Sequence, residues 1–190
     1  MGNNYKMVAK TLFGFEPLLE KELKDLGAMD VKPGVRNVSF SGDKGFMYKA
    51  NLCLRTAIKI LKPIKSFKVF SEEDLYKKIY SIDWSRYLSA TDSLAIDATV
   101  HSRRFTHSKF IALKSKDAIV DYFRNTTGRR PSVDLQFPHL RINIHIEDVQ
   151  CTVSLDSSGQ SLHKRGYKSA TNIAPINEVL AAGMLLMSGW

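Results

Sequence analysis

Two cysteines are all that the 190 residues contain, Cys53 and Cys151, and neither belongs to a C-x-x-C pair. That excludes a disulfide framework and points to a reducing compartment, the cytoplasm, with each cysteine read as a small buried hydrophobe. Long apolar runs are missing too. The most apolar stretch, Val179 to Met187, is far short of the roughly 20 residues that a membrane-spanning helix needs, so no membrane partner is expected. The N-terminus shows no apolar core behind a basic start, an acid already stands at Glu16, and Lys6 occupies the place where a myristoylation signal wants Ser or Thr. The glycines never fall into G-x-G-x-x-G or G-x-x-x-x-G-K-[ST], so no residue is assigned to a cofactor. His101, His107, His139, His145 and His163 make no H-x-x-x-H or H-E-x-x-H pair, which leaves no metal site. Asp156-Ser157 lacks the G-x-S-x-G elbow of a nucleophile, so no catalytic residue is assigned either.

Acids are the remaining shortage: 19 Asp and Glu stand against 28 Lys and Arg, a net charge of +9. Such a balance speaks of polyanionic partners, nucleic acid before anionic membrane. The excess is concentrated. From His101 to Arg130, Arg103, Arg104, Lys109, Lys114, Lys116, Arg124, Arg129 and Arg130 face only Asp117 and Asp121. Phe105, His107, Phe110, Tyr122 and Phe123 are threaded through the same segment. Basic residues that neutralise phosphates, mixed with rings that stack on bases, are what an RNA surface uses. Phe110, Tyr122 and Phe123 nonetheless fall at helical spacing and are expected to pack in the core. Lys59, Lys62, Lys65 and Lys68 recur every third residue. On an extended strand that spacing alternates faces, so they read as protection of an exposed sheet edge.

Periodicity predicts a strand over Tyr5 to Leu12. A helix follows, opened by Glu16-Pro17, lined by Leu18, Leu19, Leu23 and Leu26, and ended by Gly27. A strand over Val35 to Phe40, with a short one before it at Met29 to Val31, leads to a helix from Lys44 to Leu52 capped by Asp43. Thr56 to Val69 is extended. Strand, helix, strand or hairpin, helix, strand is the ferredoxin-like pattern, with both helices on one sheet face.

A second unit begins near Ser71, which caps a helix with three acids in its first turn. Leu75, Tyr76, Ile79 and Ile82 line that helix. A strand over Ser93 to Val100 and a long helix over Ser108 to Asn125 follow, the latter with Phe110, Ile111, Leu113, Ala118, Ile119, Tyr122 and Phe123 on its apolar side. Pro131 to Phe137 reads as a loop or edge piece. Arg141 to Glu147 and Gln150 to Leu155 form a hairpin. Ser161 to Pro175 has no period and reads as a linker. A last helix runs from Pro175 to about Ser188 with Ile176, Val179, Leu180, Met184 and Met187 as its apolar stripe.

Two stretches carry a resemblance to a known family: LRINIHIEDVQCTVSLDSSGQSLHKRGYKS, Leu140 to Ser169, and NIAPINEVLAAGMLLMSGW, Asn172 to Trp190. Their SLHKRGY and API-x-E-x-LAA segments resemble the THUMP-domain, SAM-dependent RNA methyltransferases that make N2-methylguanine in large-subunit ribosomal RNA. Many of those carry an older label as adenine-specific DNA methylases. The resemblance runs over essentially the whole chain. It implies an α+β chain: a ferredoxin-like domain over 1–70, a THUMP RNA-binding domain over 71–160, a linker over 161–175, and from 176 to 190 the first helix of a truncated Rossmann-like methyltransferase domain. Family members continue into a DPxCGSGT-type SAM loop and an NPPY- or NPPF-type motif, neither of which occurs here. S-adenosylmethionine is therefore implied for the full-length protein, whose catalytic domain is expected beyond this chain. The chain alone is expected to hold RNA, ribosomal RNA first, through Arg103, Arg104, Lys109, Lys114, Lys116, Arg129 and Arg130, joined by His163, Lys164, Arg165 and Lys168. The alternatives are a THUMP enzyme acting on transfer RNA and a free-standing RNA-binding protein. The apolar stripe of the last helix is expected to meet a second chain or to fold back on the THUMP domain.

Overall fold

The first strand, β1 (Tyr5–Lys10), buries Met7 and Ala9, and α1 (Glu16–Leu26) answers with Leu19 and Leu23. The structure is a computed structural model and describes residues 4–166 and 174–189. Pro17 sits in the first turn of α1, where its missing N–H costs nothing. Gly27 closes the helix at φ 94°, its N–H and that of Ala28 returning to the carbonyls of Lys24 and Leu23. β2 (Met29–Gly34), β3 (Asn37–Gly42), α2 (Lys44–Cys53) and β4 (Lys59–Lys68) follow. Asp43 caps α2 by accepting the N–H of Phe46 at 2.7 Å.

The hairpin differs from expectation. Val35 does not begin a strand but lies in the turn with Arg36 (φ 55°), so β2 is longer and β3 starts later than the apolar pattern suggested. Pro33-Gly34 reads locally as a turn. It is accommodated in β2 because that strand is the sheet edge, where a missing donor is tolerated. Glu16 holds the true turn by accepting the N–H groups of Arg36 and Gly14, each at 2.7 Å.

The chain forms two compact units, Met1–Lys62 with Gln160–Trp190, and Pro63–Gly159. In the first, the strands lie in the order β2-β3-β1-β4, with β1 antiparallel to both neighbours, the ferredoxin-like arrangement. Its core gathers Met7, Leu19, Leu23, Val38, Phe40, Ala50, Leu54 and Ile60.

Three further expectations are corrected in this unit. The segment read as a linker contributes Leu162 to the same core, and Arg165 is tied to the end of α2. The last helix, α5, begins later than expected, at Glu178 (Glu178–Met187), because Asn177 caps it and accepts from Val179 and Leu180. It packs within the first unit: Val179 is buried, and Gly183 lies so close to Phe15 that a Cβ there would collide with the ring. Cys53, expected inside, is exposed at the end of α2, whereas Cys151 is buried and its thiol is pushed up to about 12 by that burial.

In the second unit, α3 (Glu72–Tyr80), a 3-10 turn at Trp84–Arg86, β5 (Ser93–His101), α4 (Ser108–Thr127), β6 (Ser132–Val133), β7 (Leu140–Glu147) and β8 (Gln150–Asp156) follow the later residues of β4. The order is β4-β8-β7-β5-β6, with β7 parallel to β5 and antiparallel to β8. Ile142, Ile144 and Ile146 alternate onto the face that also buries Cys151 and Val153, and α3 and α4 cover it with Leu75, Ile79, Ile111, Ile119 and Phe123. Trp84 is fully buried, and its indole N–H donates to the carbonyl of Ile79 at 2.8 Å. β4 is flanked in both units, by β1 in the first and β8 in the second. β4 is thus the terminal strand of each unit's order, where lysines are the expected guard of an open edge. Among the described residues no helix is long and apolar enough to cross a membrane.

Candidate nucleic-acid interface

α4 organises the basic residues of the second unit. Ile111, Ser115, Ala118, Ile119 and Phe123 form its buried face. Ser115 is accepted in that face because its hydroxyl donates to the carbonyl of Ile111 at 2.7 Å. Twenty residues of helix measure about 30 Å. Arg103 and Arg104 precede α4 and Lys109 lies in its first turn, whereas Arg129 and Arg130 follow its Gly128 cap. A run that is continuous in sequence is thus divided between two ends.

The leading end has a fixed base. Ser102 Oγ donates to the carbonyl of Asp148 at 2.6 Å and accepts the N–H of Arg104 at 3.1 Å. The N–H of Asp148 returns to the carbonyl of His101 at 2.8 Å. Phe105, buried, pins the loop into the core, and Arg103 and Arg104 are left exposed. Among the described residues neither arginine, nor Lys109, has a carboxylate partner. Phe110, expected in the core, is 42% exposed beside Lys109. A wheel centred on Ile111, Ser115, Ala118 and Ile119 puts it on the far side, a signal that a bare count of apolar positions misses. Leu113 is exposed for the same reason. Tyr122 is half-buried and Phe123 fully buried, as the helical spacing predicts.

The other predicted positions are more committed. Lys116 pairs with Asp117 at 2.6 Å, and Arg124 approaches Asp121 at 3.8 Å. Lys114 turns to α3, its ammonium 5.5 Å from the Tyr76 ring. The Tyr76 hydroxyl donates to Asp121 at 2.8 Å, and that bond, with burial and the carboxylate's charge, holds its pKa up at about 12. Lys109 and Lys116 flank a groove of about 260 Å³ floored by Leu94, Ile96, Ala112, Leu113, Val133 and Leu135. Arg129 borders an open depression of about 660 Å³ lined by Ser85, Ser89, Thr91 and Thr127. Arg130 is exposed.

His163, Lys164 and Arg165 belong to the first unit. His163 Nδ1 is 2.7 Å from Ser161 Oγ, and the Lys164 side chain is exposed. Arg165 is spent on the fold. Its Nε donates to Leu162 O at 2.7 Å, Nη1 to Asn51 O and Leu52 O at 2.9 and 3.1 Å, and Nη2 to Leu54 O at 2.6 Å. Lys168 lies outside the described residues. The junction between β5 and α4 contains no glycine, and the glycines near the C-terminus, Gly159 and Gly166, are isolated. These residues do not fit a nucleotide-type cofactor such as S-adenosylmethionine, and none is assigned to one.

Two family models match the chain, the RlmL ferredoxin-like domain over residues 6–61 and the THUMP domain over residues 70–156. A protein of Synechocystis sp. named as an RNA methyltransferase is 44% identical over 93% of this chain and 46% of its own length. A ribosomal RNA large subunit methyltransferase K/L of Syntrophotalea carbinolica is 42% identical over 97% of this chain and 26% of its own. A solved methyltransferase structure complexed with SAH has a TM-score of 0.83 at 30% identity, covering 100% of this chain and 50% of that one. The chain spans between about a quarter and a half of the length of these relatives.

Proposed function

Because the chain belongs to the family of THUMP-domain proteins that carry an RlmL ferredoxin-like domain, we propose that it holds structured ribosomal RNA for a SAM-dependent guanine-N2 methyltransferase domain in the same cytoplasmic protein. The observation that carries this reading is the leading end of α4. There Arg103 and Arg104, on a loop anchored by Ser102 and Phe105, lead into Lys109 and the exposed Phe110 in the first turn of α4, and none of the three cations has a carboxylate partner among the described residues. Cations on a rigid base take backbone phosphates and set register, and the ring offers a stacking face to an unpaired base. Chemistry on a guanine would fall to the further domain, with this chain supplying grip and orientation.

The test is a filter-binding titration of the 190-residue chain with a large-subunit RNA fragment over a range of salt. Arg103→Glu/Arg104→Glu/Lys109→Glu is expected to weaken binding more than roughly tenfold and to flatten the salt dependence. Arg129→Glu/Arg130→Glu, at the far end of α4, is expected to cost less. Unchanged affinity and slope in the first variant would remove this footprint. A transfer RNA bound more tightly in the same salt would shift the substrate reading to transfer RNA.

A further inference from the structure

Lysines of α2 and β4 in the first unit are left over from the surface just described. Lys62, on β4, places its ammonium 3.5 Å from the centroid of the Tyr5 ring. Lys44, the first residue of α2, lies 5.9 Å from the ring of Tyr48. Neither lysine has a carboxylate partner among the described residues. The nearest acid in sequence, Asp43, is turned to its own helix, its Oδ1 accepting the Phe46 N–H. Burial and the neighbouring charge of Lys44 together hold the Lys62 ammonium below its usual pKa. Tyr5 lies opposite Gly42 in the β1–β3 register, two residues before Lys44, so Lys62 over the Tyr5 ring and Lys44 at the start of α2 share one end of the sheet. Two ammoniums without carboxylate partners among the described residues cost free energy there that a phosphate diester would recover. Tyr48 is 60% exposed, too open for a core ring, and sits one helical turn from Lys44 with a face available to a base.

We propose that Lys44, Lys62, Tyr5 and Tyr48 form a second RNA contact, on the ferredoxin-like unit, in which the two ammoniums hold backbone phosphate and Tyr48 stacks on an unpaired base. The inference rests on the RNA-holding reading above and adds a place and a mode to it. Tyr5 is the inner support: its ring fixes the Lys62 ammonium and spares it the search for a partner. Lys44 and Tyr48 supply the outer, exposed half of the contact.

The test uses the 190-residue chain and a stem-loop RNA transcribed with 5-iodouridine. Lys44→Gln/Lys62→Gln is expected to weaken binding several-fold and to make the log–log salt slope shallower by about 1.4–1.8, the value for two phosphates. Lys44→Gln alone, at an exposed position that leaves the strand intact, should move the slope by about half of that. Tyr48→Ala is expected to weaken binding at least about fivefold with the slope unchanged, and photocrosslinking of the wild type should label Tyr48. The proposal is overturned if the lysine variants keep wild-type affinity and slope, or if crosslinks map only to the second unit. In either case loss of binding by Arg103→Glu/Arg104→Glu would leave the general RNA reading standing. A wild-type chain that binds no RNA at any salt would overturn both.

Discussion

At the scale of the residue, side chains of like charge divide by what already occupies them. Arg103 and Arg165 are both basic and both in segments singled out for RNA. Arg103 is exposed with no carboxylate partner among the described residues, whereas Arg165 donates four hydrogen bonds to carbonyls of the α2 end and of Leu162. A planar guanidinium has five N–H donors, so little is left for a phosphate. Arg165→Ala is expected to destabilise the folded chain by about 2–3 kcal/mol, because charge-assisted bonds are lost and carbonyls are left unsatisfied. RNA affinity at a temperature where the variant is folded should change little. Denaturant unfolding and the binding titration together decide it: a fully stable variant with much weaker binding would restore Arg165 to the RNA surface.

At the scale of the element, α5 has two unlike faces. Val179 and Gly183 face the first unit, where Phe15 leaves no room for a side chain at position 183. Ile176, just before the helix, and Leu180, Met184, Leu185 and Met187 stay exposed. Several large apolar side chains left together in water form a patch that associates, since each is worth roughly 1.5–3 kcal/mol on burial. The chain is therefore expected to self-associate at high concentration, and Leu180→Ser/Met184→Ser to be monomeric with its fold intact. Sedimentation or light scattering across a concentration series measures this. A wild type that stays monomeric throughout would show that the face is solvated.

At the scale of the whole molecule, the two units carry matches to two domain models and no residues suited to a nucleotide-type cofactor among those described. The 190-residue chain is accordingly expected to show no heat on titration with S-adenosylmethionine while it still binds RNA. Micromolar binding in the calorimeter would mean that the described residues assemble a cofactor site without a glycine-rich loop. Binding RNA and DNA stem-loops in one salt would separate RNA recognition from simple attraction between a chain of net charge +9 and any polyanion.

Elements whose side-chain period is set by local geometry were legible from the amino-acid order alone. Ile142, Ile144 and Ile146 alternate because a strand turns successive side chains to opposite faces. Ser71, Asp43 and Gly27 mark helix ends because orphan backbone groups need those residues. The basic excess between His101 and Arg130 and the SLHKRGY and API-x-E-x-LAA segments were equally plain. Tertiary structure alone decided which of these residues can meet a ligand. A rigid helix of about 30 Å separates Arg103 from Arg129, although the sequence presents them as one run. Leu162 and Arg165 look like linker because no period marks them; distant elements, the α2 end and the first core, fix them in place. Pro33-Gly34 reads as a turn, yet the edge position of β2 lets it remain strand. For Leu162 and Arg165 the deciding partners are more than 100 residues away in sequence, and only folding brings them into hydrogen-bonding or packing range.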